Sequence, residues 1–163
     1  MLTDANLSPI SSCAQATTAK EAAFRITYPL TPARNTRVVA LDTAAARVVR
    51  AAAAEGGWGQ ARFFTVADPG DEVDEIDGPA MTLSDLITDT NSVILVSTTG
   101  ENGQALAAIG RGCAERSIMT AGLCVTPGQI STDALLHLRP YARILLVPAE
   151  PDDLPELLRA IRA

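Results

Sequence analysis

Residues 93–109 read VILVSTTGENGQALAAI, and this stretch decides the fold. Ser92–Val96 is a continuous aliphatic and β-branched run with turn residues on both sides. Such a run predicts a central strand buried on both faces of a parallel sheet. The strand runs into Ser97, Thr98 and Thr99, where Gly100 permits a tight turn. Asn102 is suited to cap a helix over Asn102–Glu115, whose apolar positions include Leu106, Ile109 and Cys113.

The same alternation extends outward in both directions. Arg37–Leu41, Arg62–Val66, Ile118–Val125 and Arg143–Val147 read as further strands. Between them, Thr43–Glu55 reads as a helix with Asp42 or Thr43 as its cap and Gly56-Gly57 as its stop. Thr82–Thr88, Ser131–Leu138 and Asp152–Ile161 complete the helices, with Thr82 and Ser131 as caps. Strand and helix in this rhythm predict βαβ units, and right-handed crossovers place helices on both faces of the sheet. The expected fold class is therefore α/β: a Rossmann-like three-layer domain over residues 37–163, with a mostly parallel sheet of about five strands. Residues 1–36 are expected to form an N-terminal arm. A possible edge strand there runs through Phe24, Ile26 and Tyr28 and is closed by Pro29 and Pro32. The acidic stretch Asp68–Asp77 reads as a solvated surface loop.

Composition bounds the function. The chain has 163 residues, which suits one domain. Its net charge of −6, with no Arg cluster, argues against nucleic acid as a partner. Lys20 is the single Lys. The first residues lack a basic, then apolar, leader pattern, and no apolar run is long enough to span a bilayer, so a cytoplasmic location and no membrane partner are expected. Cys13, Cys113 and Cys124 form no CxxC pair, and His137 is the one His, so no metal site is expected. No nucleophile elbow or phosphate-loop motif is present, no cofactor is implied, and whether the chain catalyses anything is left open.

In an open parallel sheet, ligands bind beyond the carboxyl ends of the strands. The residues there are Asp42-Thr43, Ala67-Asp68, Ser97–Gln104, Thr126–Gln129 and Pro148–Glu150. Ser97–Gln104 stands out, because hydroxyls and free amides around a helix N-terminus suit an anion, most naturally a phosphate. The expected ligand contacts are Ser97, Thr98, Thr99, Gly100, Asn102, Gly103 and Gln104. Asp42, Thr43, Asp68 and Thr126 are accessory candidates. Ser97 and Ala149 stand where a receiver-type acidic pocket needs an Asp and a Lys, which excludes that chemistry.

Ser97-Thr98-Thr99-Gly100-Glu101-Asn102, followed by Leu106-Ala107-Ala108-Ile109, resembles the sugar isomerase (SIS) domain pattern, in which a strand ends in Ser-x-Ser-Gly-x-Ser/Thr before a helix. The resemblance covers about Thr82 to Ala149. It implies that Ser97, Thr99 and Asn102 hold the phosphate of a phosphosugar, and that the site is completed across a homodimer. Asn102 stands where that family has Ser or Thr. The order of elements from Thr82 to Pro148 is also similar to that of the tubulin-like cell-division GTPases, with Met119-Thr120-Ala121-Gly122 as a matching strand. That likeness implies a nucleotide-binding or assembly role without the family's Gly-rich loops. The expected function is thus a non-catalytic domain binding a phosphorylated small molecule. A SIS-type sugar-phosphate isomerase using Asp42, Asp68 or Glu101 as its base, and a degenerate tubulin-like protein, stand as alternatives.

Overall fold

The computed structural model describes residues 32–67 and 70–163. In chain order the elements are β1 Thr36–Ala40, α1 Thr43–Glu55, β2 Arg62–Val66, β3 Glu72–Glu75, β4 Ala80–Thr82 and α2 Leu83–Leu86. They continue with β5 Ser92–Ser97, α3 Gly103–Glu115, β6 Met119–Val125, α4 Thr132–Leu138, β7 Ile144–Ala149 and α5 Asp153–Ile161. The expected edge strand through Phe24–Tyr28, together with Cys13 and Asp68, lies outside the described residues.

The aliphatic run becomes β5, buried along its whole length. It is an interior strand, beside the central β1, of a sheet ordered β4-β3-β2-β1-β5-β6-β7. β1 pairs in parallel with β2 and β5, and β6 pairs in parallel with β5 and β7. Alternate residues of β1 and β5 face opposite cores. Val38, Ala40, Ile94 and Val96 pack under α1 and α5, through Ala45, Val49, Ala52, Leu154 and Leu158. Val39, Leu41, Val93 and Leu95 pack under α2, α3 and α4, through Leu86, Leu106, Ile109, Ala134 and Leu138. The domain is therefore a three-layer α/β structure with a mostly parallel sheet.

α1 forms because apolar Ala45, Val49 and Ala52 recur at helical spacing, and because Asp42 caps it by accepting from Ala45 N at 2.8 Å. Its small side chains leave bulk to the sheet face they pack on, where Val38, Phe63 and Ile94 are buried. Ser131 and Thr82 cap α4 and α2 as their sequence positions predict.

Two expectations are corrected. The sheet has seven strands, not about five, because the acidic segment is not a loop: Glu72–Glu75 pairs antiparallel with β2, and Ala80–Thr82 pairs antiparallel with β3. Val73 is fully buried while its acidic neighbours point outward, and Arg62 Nε donates to Glu75 Oε1 at 2.6 Å across the pair. Asp77-Gly78 makes the turn, with Asp77 at φ 63°.

Candidate functional site

Strand order places the site. β1 leads through α1 to β2 on one side, while its other neighbour is β5, so the crossovers diverge between β1 and β5. This is the topological switch point, where the carboxyl ends of the strands frame a crevice. Leu41 N still donates to Val96 O at 2.9 Å, which keeps the two strands together until they end at Asp42 and Ser97.

Asp42 is 6% exposed and Ser97 is 1% exposed. Beyond capping α1 through Oδ1, Asp42 accepts three bonds at Oδ2. The donors are Thr98 N at 2.6 Å, Thr99 N at 3.1 Å and Ser97 Oγ at 3.2 Å. Successive amides around a turn form a concavity for an anion. Here a carboxylate of the chain itself fills it. Ser97 Oγ also accepts from Gly100 N at 3.2 Å. Ser97, Thr98 and Thr99, read from sequence as ligand contacts, are thus engaged with Asp42.

α4 braces the loop from the other side. Ser131 Oγ donates to Thr99 O at 3.1 Å, and His137 Nδ1 donates to Gly100 O at 3.0 Å. Gly100 is required twice over: its φ is 89°, and a Cβ there would meet Ala134 N at 2.5 Å. A Cβ on Gly103 would run into the His137 ring at 2.8 Å. His137 was not legible in this role, because the residues it supports are thirty-odd positions away in the chain.

Asn102 corrects the expected cap. It precedes α3 in the left-handed region, φ 57°, and makes no side-chain cap. Its Nδ2 donates instead to Leu41 O at 2.7 Å, tying the loop to the end of β1. The first bond of α3 runs from Leu106 N to Asn102 O. Among the described residues, nothing accepts from the amides of Gly103, Gln104 or Ala105. A helix of thirteen residues therefore presents its positive end with those amides free of described acceptors.

Two clefts flank Asn102. One, of about 580 Å³, is lined by Asp42, Thr43, Arg50, Thr65, Glu101 and Asn102 among others. The other, of about 450 Å³, lies over the first turn of α3, between Gly70, Asp71, Leu83, Asn102, Gly103 and Gln104. Arg50 and Thr65 were not singled out from sequence. Thr43, Ala46 and Arg50 fall at i, i+3 and i+7 of α1, so one helix face carries all three to the cleft, and that spacing was readable. Thr126 follows β6, and its buried hydroxyl has no partner among the described residues, but it lines neither cleft.

Cys113, Cys124 and Glu75 are engaged in the core or in ion pairing. Burial pushes the Cys113 thiol up to about 11 and raises that of Cys124, which keeps both as thiols. At the amino end of β2, the hydrogen bond from Arg62 holds the Glu75 carboxyl below its ordinary range. Among the described residues no three His, Cys, Asp or Glu side chains gather in a metal-binding group. No described helix is long and apolar enough to cross a membrane.

No protein-family model, curated protein or solved structure matches the chain.

Proposed function

We propose that this domain is a binding module for a phosphorylated small molecule, held at the switch-point clefts without chemistry of its own. The observation that supports this is the turn of Asn102 toward Leu41 O, away from α3. It leaves the amides of Gly103, Gln104 and Ala105 without a described acceptor at the rim of a polar cleft. A phosphate there gains helix-terminus hydrogen bonds and a favourable dipole. Arg50, Thr43 and Thr65 in the neighbouring cleft supply a cation and two hydroxyls for the rest of the ligand. Asp42 is committed to internal donors, so the reading favours holding over proton transfer.

A thermal-shift screen of sugar phosphates, nucleotides and inorganic phosphate tests this. A ligand at ~100 times its dissociation constant adds about 2.7 kcal/mol, hence roughly 5–10 °C in a chain of this size. Gln104 is exposed in the first turn of α3. Gln104→Glu places a negative charge where the dipole welcomes it and the phosphate does not. The expected result is an unchanged or higher midpoint without ligand, and loss of the ligand shift. Absence of any shift across the screen contradicts the proposal. Turnover of a sugar phosphate in the same samples would instead support isomerisation.

A further inference from the structure

Among the described residues the sheet has two edges, β4 and β7. β4 is three residues long and carboxylates crowd it: Glu72 and Asp74 on the neighbouring β3, Asp77 before it and Asp85 after it, all exposed. Such an edge repels its own copy. β7 is six residues long and reads Ile144-Leu145-Leu146-Val147-Pro148-Ala149. Ile144 is 45% exposed, and Leu145, Leu146 and Val147 are half-buried, whereas every residue of β5 is buried. Charge is divided between the ends of β7. Arg143 precedes it and Glu150 follows it, both exposed, and neither is in an ion pair among the described residues.

The phase of the hydrogen bonds decides which groups face outward. Met119 N donates to Asn91 O, ahead of β5, and Thr120 O accepts from Arg143 N, ahead of β7. Odd-numbered residues of β6 therefore turn their backbone groups toward β5 and even-numbered ones toward β7. In a parallel pair, only one of two facing residues points its N–H and C=O at the other strand. Ala121 faces Ile144 and Leu123 faces Leu146, so Ile144 and Leu146 bond to β6. The N–H and C=O of Leu145 and Val147 point out of the sheet. Pro148, which has no N–H, is not in that outward row.

We propose that β7 is a dimerisation edge, to which a second copy of this chain adds its own β7 antiparallel, about a two-fold axis through Leu146. Leu145 and Val147 of each copy then exchange backbone hydrogen bonds with Val147 and Leu145 of the other. Opposed residues share a face. Leu146 meets Leu146 on the face that carries α5, and Leu145 meets Val147 on the face that carries α4. Antiparallel pairing also lays the Arg143 end of each strand against the Glu150 end of the other, twice over by symmetry. That complementarity selects a second copy as the occupant, and it selects antiparallel over parallel pairing, which would set Arg143 against Arg143. β7 lies two strands from β5, so the interface leaves the clefts beside Asn102 open, and it does not rest on the binding proposed above.

The test is sedimentation equilibrium of the full chain from micromolar to near-millimolar concentration, with amide hydrogen exchange read by NMR at both ends of that range. The expected result is a reversible dimer in which the Leu145 and Val147 amides become protected as concentration rises. Arg143→Glu and Glu150→Arg should each weaken the dimer by about fivefold or more, and the double swap should restore it. A chain that stays monomeric throughout overturns the proposal. So does a dimer whose Leu145 and Val147 amides exchange alike at both concentrations, one that both single reversals leave unchanged, or one that the double swap does not restore. Protection of these two amides in a monomer, independent of concentration, assigns the edge to another segment of the chain and equally overturns the proposal. If a variant does not fold, the exchange of the wild-type amides alone decides.

Discussion

Oδ1 of Asp42 accepts from the start of α1, and Oδ2 accepts from the turn after β5. One carboxylate therefore links two elements that are 55 residues or more apart in sequence. Charge-assisted bonds of this kind are worth about 1.5–3 kcal/mol when their loss leaves buried donors without a partner. Asp42→Asn keeps the shape but turns an NH₂ toward the Thr98 and Thr99 amides. The expected loss is about 2–3 kcal/mol, measured by urea denaturation with an unchanged slope. A loss below ~0.5 kcal/mol would mean that the carboxylate does not hold the turn. The capping half of this role was legible, because Asp before an Ala-rich helical run is a standard start signal. The turn-holding half was not, since it depends on β1 lying beside β5.

At the scale of elements, the central run from Ser92 and the helix after it were legible because burial on both faces leaves no alternation to misread. The β3–β4 hairpin was not. Asp and Glu are poor strand formers, so four acidic-rich residues read as a loop although Val73 alternates with them toward the core. Asp77-Gly78 was the available signal, as a hairpin dipeptide. Asn102 is the same kind of case: Asn suits an N-cap and a left-handed bend equally, and the pull of Leu41 O selects the bend. The hairpin carries a prediction of its own. Arg62 donates to both oxygens of Glu75, whose carboxyl is lowered first by that bond. A carboxyl with a depressed folded pKa gives stability above its unfolded value, about 4.3, and loses it as pH falls through the folded value. Stability should therefore fall with pH below that point less steeply in Glu75→Gln than in the wild type. Arg62 is 42% exposed, so water screens the pair and a double-mutant cycle should give about 1 kcal/mol or less. Identical acid profiles for the two proteins would remove Glu75 from the account.

At the scale of the molecule, the sheet order brings the ends of β1 and β5 together and aims α1 and α3 from opposite faces at one crevice. α1 meets it capped by Asp42, whereas α3 meets it with a first turn free of described acceptors. The expected binding loop, Ser97–Gln104, thus divides into two parts with different tasks. Ser97–Thr99 is held by Asp42, and Gly103–Gln104 faces the cleft. Sequence alone marked the loop and its helix terminus but could not divide it, because the division depends on which side chain reaches the turn first. The most direct test is a titration of the ¹⁵N-labelled protein with inorganic phosphate. The account predicts that the Gly103, Gln104 and Ala105 amides shift together and saturate, that Thr98 and Thr99 stay in place, and that Gln104→Glu abolishes the response. Saturable binding centred on Thr98 and Thr99, or no movement of the three α3 amides, would contradict it.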